Sequence, residues 1–84
     1  MPSTLDHLAK GDCGRIAAID WDRLSVPEGR RLRELGLIEG AAVELIQRGS
    51  LFVRDPIAVR VGRTTVVIRA AHAAAITIAP AIVA

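Results

Sequence analysis

The chain has 84 residues, of which 51% are hydrophobic, and its 11 lysines and arginines against 9 aspartates and glutamates give a formal net charge of +2. This length accommodates one domain with a single core and leaves too little interior for a large active-site cleft. Phe52 and Trp21 are the only aromatic residues, so aliphatic side chains must fill the core, and a base-stacking surface for single-stranded nucleic acid is disfavoured. We therefore expect a single domain over residues 1–84, with its core at about 4–79.

Three features of the sequence bear on where the protein resides. The single cysteine, Cys13, cannot form an internal disulfide, which fits a reducing compartment. The first residues lack the basic leader and apolar run of a secretory signal. The apolar region 70–84 is interrupted by His72, Thr77 and Pro80 and is shorter than the stretch of about 20 residues that crosses a bilayer. We expect a cytoplasmic protein without direct membrane insertion, which a partner can recruit to the inner face of the membrane.

The N-terminal part of the chain predicts a short helical turn and then a strand. Thr4 can cap a turn that carries two leucines, and Gly11 ends it. Residues 13–20 alternate loosely, with Ile16 and Ile19 partly buried, which is typical of a strand.

The next segment predicts one short α-helix. Ser25 and Glu28 match a capping box at its start, and Gly36 stands where a left-handed residue ends a helix. Leu32 and Leu35 lie on one face. Because a helix of this length is marginal in isolation, we expect that face to pack against a sheet.

The rest of the chain predicts further short strands. Gly62 and Arg63 suit a type II′ hairpin turn, and Pro80 ends the last strand by removing a donor. In the first of these strands, residues 41–48, Ile46 falls on the same side as Glu44, which makes the alternation imperfect. A helical turn precedes the last strand. With residues 13–20, the pattern predicts five strands in a partly open or closed small β-barrel, the four further strands being residues 41–48, 57–61, 64–69 and 76–79.

Four segments of the sequence occur in an order that resembles the FeoA family. They are the leucine turn ending at Gly11, the stretch RRLRELGLIEG at 30–40, the stretch DPIAVRV at 55–61, and an ending with Arg69, Ala73, Ile76 and Ile78. No segment is specific alone, but the ordered set covers about residues 4–78. The sequence departs from the family pattern where Arg54 replaces the glycine common before Asp-Pro, and where His72 replaces an acid.

The resemblance implies a mostly β fold, namely a small SH3-like β-barrel of about five antiparallel strands with one short inserted α-helix. The residue patterns add short N- and C-terminal helical turns. The resemblance also implies a non-enzymatic accessory protein of bacterial ferrous iron uptake. Such a protein binds the cytosolic part of the membrane transporter FeoB, which has a GTP-hydrolysing domain, and supports or regulates Fe²⁺ transport. The alternative is a free-standing SH3-like interaction domain of an iron-dependent transcriptional regulator system. Homo-oligomerisation is left open.

Six residues are candidates for binding a partner. The predicted helix presents three arginines, which are either a protein interface or a solvated face with local ion pairs. Nearby glutamates largely offset their charge, and the chain has no room for a helix-turn-helix, so nucleic acid is not the expected partner. Arginine and exposed aromatic residues are favoured interface anchors. The candidates are Arg30, Arg31, Arg33, Trp21, Leu51 and Phe52.

The sequence does not indicate a metal site, a cofactor or a catalytic centre. His7, Cys13 and His72 are the only soft ligands, and no two of them have the close spacing of a structural zinc site. Asp20 and Asp22 could form a weak hard-cation site with another aspartate, but loop aspartates commonly make turns. No nucleophile has an evident base, and no glycine–lysine nucleotide-binding motif is present. We expect no enzymatic activity.

Overall fold

The computed structural model describes residues 3–49 and 55–80. The elements are β1 (Ser3–Thr4), β2 (Cys13–Ile19), α1 (Val26–Glu34), β3 (Ala42–Arg48), β4 (Ile57–Val61), β5 (Thr64–Ile68), α2 (Ala70–Ala73) and β6 (Ile76–Pro80). Two 3₁₀ turns, Leu5–His7 and Trp21–Arg23, precede β2 and α1. The strands form one antiparallel sheet in the order β1-β6-β2-β3-β4-β5.

The sheet has one strand more than predicted, and its described part rules out the closed one of the two barrel forms that the pattern allowed. It has six strands rather than five, because Ser3 and Thr4 pair with Ile78 and Thr77 at the edge of β6. The described part of the sheet is not closed, since β1 and β5 lie at opposite ends of the strand order. The mostly β character, the helix between β2 and β3, and the helical turns near both ends agree with the prediction.

Both ends of α1 follow from local sequence, as predicted. The Ser25 hydroxyl accepts a hydrogen bond from the Glu28 N–H at 3.2 Å. Gly36 has φ +93°, and the Leu37 N–H donates to the Leu32 carbonyl at 2.9 Å. These bonds satisfy helix-end groups that would otherwise lack partners. The reciprocal half of the predicted capping box is replaced, because the Glu28 carboxylate accepts a bond from Arg31 instead.

Two bulges explain where the strand patterns depart from alternation. The β2–β6 register shifts between Ile16 and Ala18, so Ile16 and Ile19 are both buried although they are three positions apart. The β3–β4 register shifts between Leu45 and Gln47, which accounts for the ambiguous position of Ile46. One extra residue in a strand changes the side on which all later side chains lie.

The hairpin between β4 and β5 is formed as predicted. Gly62 has φ +59° in the two-residue turn, and the buried residues of β4 and β5 alternate with exposed or half-buried ones.

The core is aliphatic and includes one face of α1. Leu32 is fully buried, whereas Leu35 is only half-buried at the helix end. Two hydrogen bonds tie the segment that contains α1 to the rest of the fold. Before the helix, the Asp20 N–H donates to the Ala75 carbonyl at 2.8 Å. Within the helix, the Arg31 side chain donates to the Val67 carbonyl of β5 at 3.0 Å. The helix is therefore docked on the sheet through Leu32, with its other face exposed.

Candidate functional site

Trp21 and Arg33 form a stacked pair on the outer side of α1. The turn Trp21–Arg23 precedes the helix, and the Trp21 ring lies over Gly29, where an added Cβ would be 3.5 Å from the ring, an ordinary contact. The Arg33 guanidinium carbon is 4.2 Å from the ring centroid, within the range of a cation–π interaction. The indole N–H donates to the Glu39 carboxylate at 3.1 Å. Trp21, Arg33 and Glu39 are called the Trp21 cluster below.

The described contacts separate the other two arginines of α1. The Arg30 side chain is exposed and makes no hydrogen bond or ion pair with residues 3–49 or 55–80. Arg31 instead donates to Glu28 at 3.0 Å and to the backbone carbonyl of Val67 in β5, also at 3.0 Å. Arg31 thus serves an internal contact between the helix and the sheet, and its part in binding a partner stays a prediction.

Sequence reasoning did not find the contact between α1 and α2. The His72 Nδ1 atom lies 3.4 Å from Glu28 Oε1 and is buried, but without the geometry of a hydrogen bond. Glu28 had a predicted local role in capping, whereas His72 is distant in the sequence and is brought near only by the fold.

The start of α2 is fixed by Asp55, whose carboxylate accepts a bond from the Ala70 N–H at 2.6 Å. This bond gives the Asp-Pro segment a structural role.

The remaining candidate binding residues are Leu51 and Phe52. Both lie outside the described residues.

The possible metal ligands considered from the sequence do not form one site within residues 3–49 and 55–80. No three histidine, cysteine, aspartate or glutamate side chains there are arranged to hold a metal ion. His7 lies 3.8 Å from Asp6, Cys13 is exposed at the start of β2, and His72 lies beside Glu28.

Two shallow grooves of about 300 and 380 Å³ lie on the outer face of the sheet. The first is lined by Gln47, Gly49, Asp55, Pro56, Ala58 and Val67. The second runs over β2, β3 and β4 and contains the ion pair of Arg60 with Glu44, at 3.3 Å. Neither helix in the described part of the chain has the length and apolar character needed to span a bilayer.

The fold defines a small, mostly β domain of the SH3-like class, with one helix inserted between two strands of an antiparallel sheet. A family model for the FeoA domain matches residues 3–80, and the chain belongs to the FeoA family. The family is linked to ferrous iron transport.

Solved structures resemble this chain over nearly its whole length. The FeoA protein from Chlorobium tepidum has a TM-score of 0.80 and 27% identity, with 92% of this chain and 69% of that chain covered. The FeoA protein from Stenotrophomonas maltophilia has a TM-score of 0.72 and 27% identity, with 90% and 88% covered. It was solved with zinc and is described as a prokaryotic SH3-domain protein suggested to activate bacterial ferrous iron transport.

A regulator shares the fold as well. IdeR from T. acidophilum matches with a TM-score of 0.79 and 21% identity, with 95% of this chain and 34% of that chain covered. This likeness shows the fold alone. No curated protein matches the sequence.

Proposed function

We propose that this chain is a non-enzymatic, cytoplasmic accessory protein of ferrous iron uptake that binds the cytosolic part of the FeoB transporter and supports or regulates Fe²⁺ transport. Membership of the FeoA family gives the link to ferrous iron transport. The observation that carries the binding role is the Trp21 cluster, which presents a stacked aromatic and cation on the exposed face of a docked helix.

The chemistry of this face suits a protein partner. Tryptophan and arginine are enriched among the residues that dominate binding energy at interfaces. The stack on Trp21 restrains the Arg33 guanidinium, so less side-chain entropy is lost when a carboxylate pairs with it. Arg30 adds a second exposed cation, and Val26, which is 76% exposed, adds apolar surface at the start of α1.

The proposed role assigns neither catalysis nor a resident metal to this chain. Iron is then the cargo of the transporter to which this domain binds. The zinc in the Stenotrophomonas maltophilia structure belongs to that protein.

The proposal is tested by recovering the transporter from membranes. The tagged chain is mixed with detergent-solubilised membranes containing FeoB, and bound FeoB is quantified. Arg30→Glu and Arg33→Glu should each lower recovery about five- to tenfold, since losing an anchor residue costs 1 kcal/mol or more. Full recovery with both variants would remove the α1 face from the proposal.

A matched control distinguishes a local contact from a general effect of charge. Lys10 is exposed and precedes the start of β2, whereas Trp21 follows its end, so the two lie toward opposite ends of the strand. Lys10→Glu makes the same change in net charge as Arg30→Glu and should leave recovery unchanged. Equal losses with Lys10→Glu and Arg30→Glu would mean that only overall charge matters.

The second candidate function is a free-standing interaction domain in an iron-dependent regulator system. The fold shared with the regulator IdeR from T. acidophilum favours keeping it. Recovery of a winged-helix repressor from soluble extract, with no recovery of FeoB from membranes, would favour this alternative.

A further inference from the structure

The sheet has two edges, and the edge formed by β5 is the longer one. β1 has 2 residues and β5 has 5, and β5 pairs only with β4 in the described sheet. A long edge strand presents unpaired backbone groups with which another strand can pair.

The register shows which groups of β5 point away from the sheet. A two-residue turn joins Val61 and Thr64, so these two residues form a hydrogen-bonded pair across the hairpin. Along an antiparallel ladder, hydrogen-bonded pairs alternate with pairs that are not hydrogen-bonded. Thr65 and Val67 therefore occupy non-bonded positions, with their N–H and C=O groups directed outward.

One side chain already uses this edge. The outward carbonyl of Val67 accepts the bond from Arg31 Nη2 at 3.0 Å, which agrees with the direction derived from the register. The Val67 N–H and both outward groups of Thr65 have no partner among residues 3–49 and 55–80. Because the Arg31 side chain is 46% exposed, an incoming strand can displace it from the carbonyl.

The ends of the edge carry positive charge. Arg63 and Arg69 flank β5, are exposed, and have no carboxylate partner in the described part of the chain. The acids that approach the strand from neighbouring elements are already engaged, Glu28 with Arg31 and Asp55 with the start of α2. The edge therefore complements a strand with acidic residues near its ends.

The same charges disfavour a second copy of this chain as the occupant. An antiparallel pairing of two β5 strands that used the outward groups of both Thr65 and Val67 would be centred on Val66. It would place each Arg63 opposite an Arg69, and like charges directly opposite each other destabilise a strand pair.

The outer face beside the edge is apolar at its centre. Val67 is 49% exposed and borders the groove of about 300 Å³ that also includes Ala58 and Pro56. A strand added to β5 would place every second side chain on this face. Valine or a similar side chain near the middle of that strand would cover Val67.

We infer that the β5 edge is a strand-addition site for an extended peptide segment of the partner, with apolar side chains at its centre and carboxylates near its ends. The identity of that partner rests on the proposed function, whereas the site itself does not. Binding replaces the Arg31 bond with main-chain bonds and frees Arg31 to pair with an acidic side chain of the segment.

The first test uses a designed heptapeptide, matched in length to residues 63–69, with glutamate at both ends and alternating threonine and valine between. It is titrated into the ¹⁵N-labelled full chain and followed by NMR. The Thr65 and Val67 amides should shift saturably. A peptide with lysine at both ends should bind about tenfold more weakly, a difference of about 1.4 kcal/mol. Equal binding of the two peptides, or no shift at either amide, would overturn the inference.

A backbone variant tests whether main-chain pairing is responsible. Thr65→Pro removes an N–H that β4 does not use, so the fold should tolerate it, as edge strands tolerate proline. It should abolish binding of the glutamate peptide, whereas Thr65→Val, which keeps the N–H, should bind normally. Normal binding by a folded Thr65→Pro variant, or a dimer of the unmodified chain with protected Thr65 and Val67 amides, would contradict the proposed site.

The same variants separate this inference from the proposed function. If the peptide binds but no FeoB is recovered from membranes, the proposed function fails and the strand-addition site stands. If the peptide does not bind the unmodified chain, and FeoB is recovered equally well with the unmodified chain and with Thr65→Pro, the site fails and the function stands.

Discussion

Three nearby arginines of α1 have different roles that residue type does not reveal. Arg31 is bonded to Glu28 and Val67, Arg33 is stacked on Trp21, and Arg30 has no partner in the described part of the chain. Their helical spacing follows from the sequence. Their partners do not, because the indole approaches through the turn before the helix and the β5 carbonyl through the folded sheet.

Two glycines predict opposite effects of the same substitution. A Cβ at Gly14 would collide with Ile78 Cγ2 and lie 2.8 Å from the Ala79 carbonyl oxygen, so Gly14→Ala must push β2 and β6 apart. We expect it to lower the free energy of unfolding by about 1–3 kcal/mol. Urea denaturation of the variant and the parent measures this change.

Gly29→Ala is the matched control for that prediction. It places a methyl group in ordinary contact with the Trp21 ring and replaces glycine by alanine inside a helix, which favours the helix by about 0.5–1 kcal/mol. Unfolding should be unchanged or require more urea. If Gly14→Ala were as stable as Gly29→Ala, β6 would not lie as close to Gly14 of β2 as the structure places it.

At the scale of elements, α1 is stable because it is docked. Leu32 is fully buried in the core, whereas Leu35 is half-buried at the C-terminal end of the helix. The sequence predicted equal roles for the two leucines, since both lie on one helical face. The helix ends at Glu34, so Leu35 lies at the margin of the packed face.

This difference predicts unequal costs of truncation. Leu32→Ala should destabilise the domain by about 2–5 kcal/mol, and Leu35→Ala by only about 1 kcal/mol, since less apolar area is lost. Chemical denaturation followed by circular dichroism provides both values. Similar values for the two variants would show that Leu35 is packed as deeply as Leu32.

Local signals predicted the helix and the hairpin, whereas the pairing of distant strands was harder to predict. Ser25, Gly36 and Gly62 act on their neighbours in sequence, and their roles were confirmed. The pairing of β1 with β6 and the two bulges depend on strands far apart in the chain. Alternation of side chains cannot reveal an extra residue unless the opposing strand is known.

At the scale of the whole molecule, the open sheet predicts a gradient of stability from its centre to its β5 edge. Ile16 and Leu45 lie in central strands and donate to backbone carbonyls at 2.9 Å, whereas the amides of Thr65 and Val67 point out of the sheet. We expect amide hydrogen exchange to be about 100-fold slower, or more, at Ile16 and Leu45 than at Thr65 and Val67. NMR-detected exchange measures each residue in one experiment.

Slow exchange at Thr65 and Val67 in the isolated chain would mean that the edge is already paired, and would contradict the open sheet. The amide of Val66 serves as an internal control, because it lies on the same strand and is directed toward β4. It should exchange more slowly than both of its neighbours.

The sequence predicted only part of the candidate site. Residue type indicated Trp21 and Arg33, and the structure brings them together. Residue type did not indicate Glu39, which orients the indole. It also did not indicate the edge of β5, because the outward groups there belong to the backbone. Leu51 and Phe52 stay predictions. Backbone groups have the same chemistry at every residue, so their availability depends on the assembled sheet.

The stacked indole also gives the protein a built-in optical reporter. Trp21 is the only tryptophan in the chain and tyrosine is absent, so emission excited at wavelengths that phenylalanine does not absorb arises from one ring, whose surroundings include Arg33 and Glu39. A molecule that covers this ring or displaces its charged neighbours changes the polarity around it. Emission of the unlabelled chain can therefore follow association at α1 directly, while an event confined to the far end of β2 leaves the spectrum unchanged.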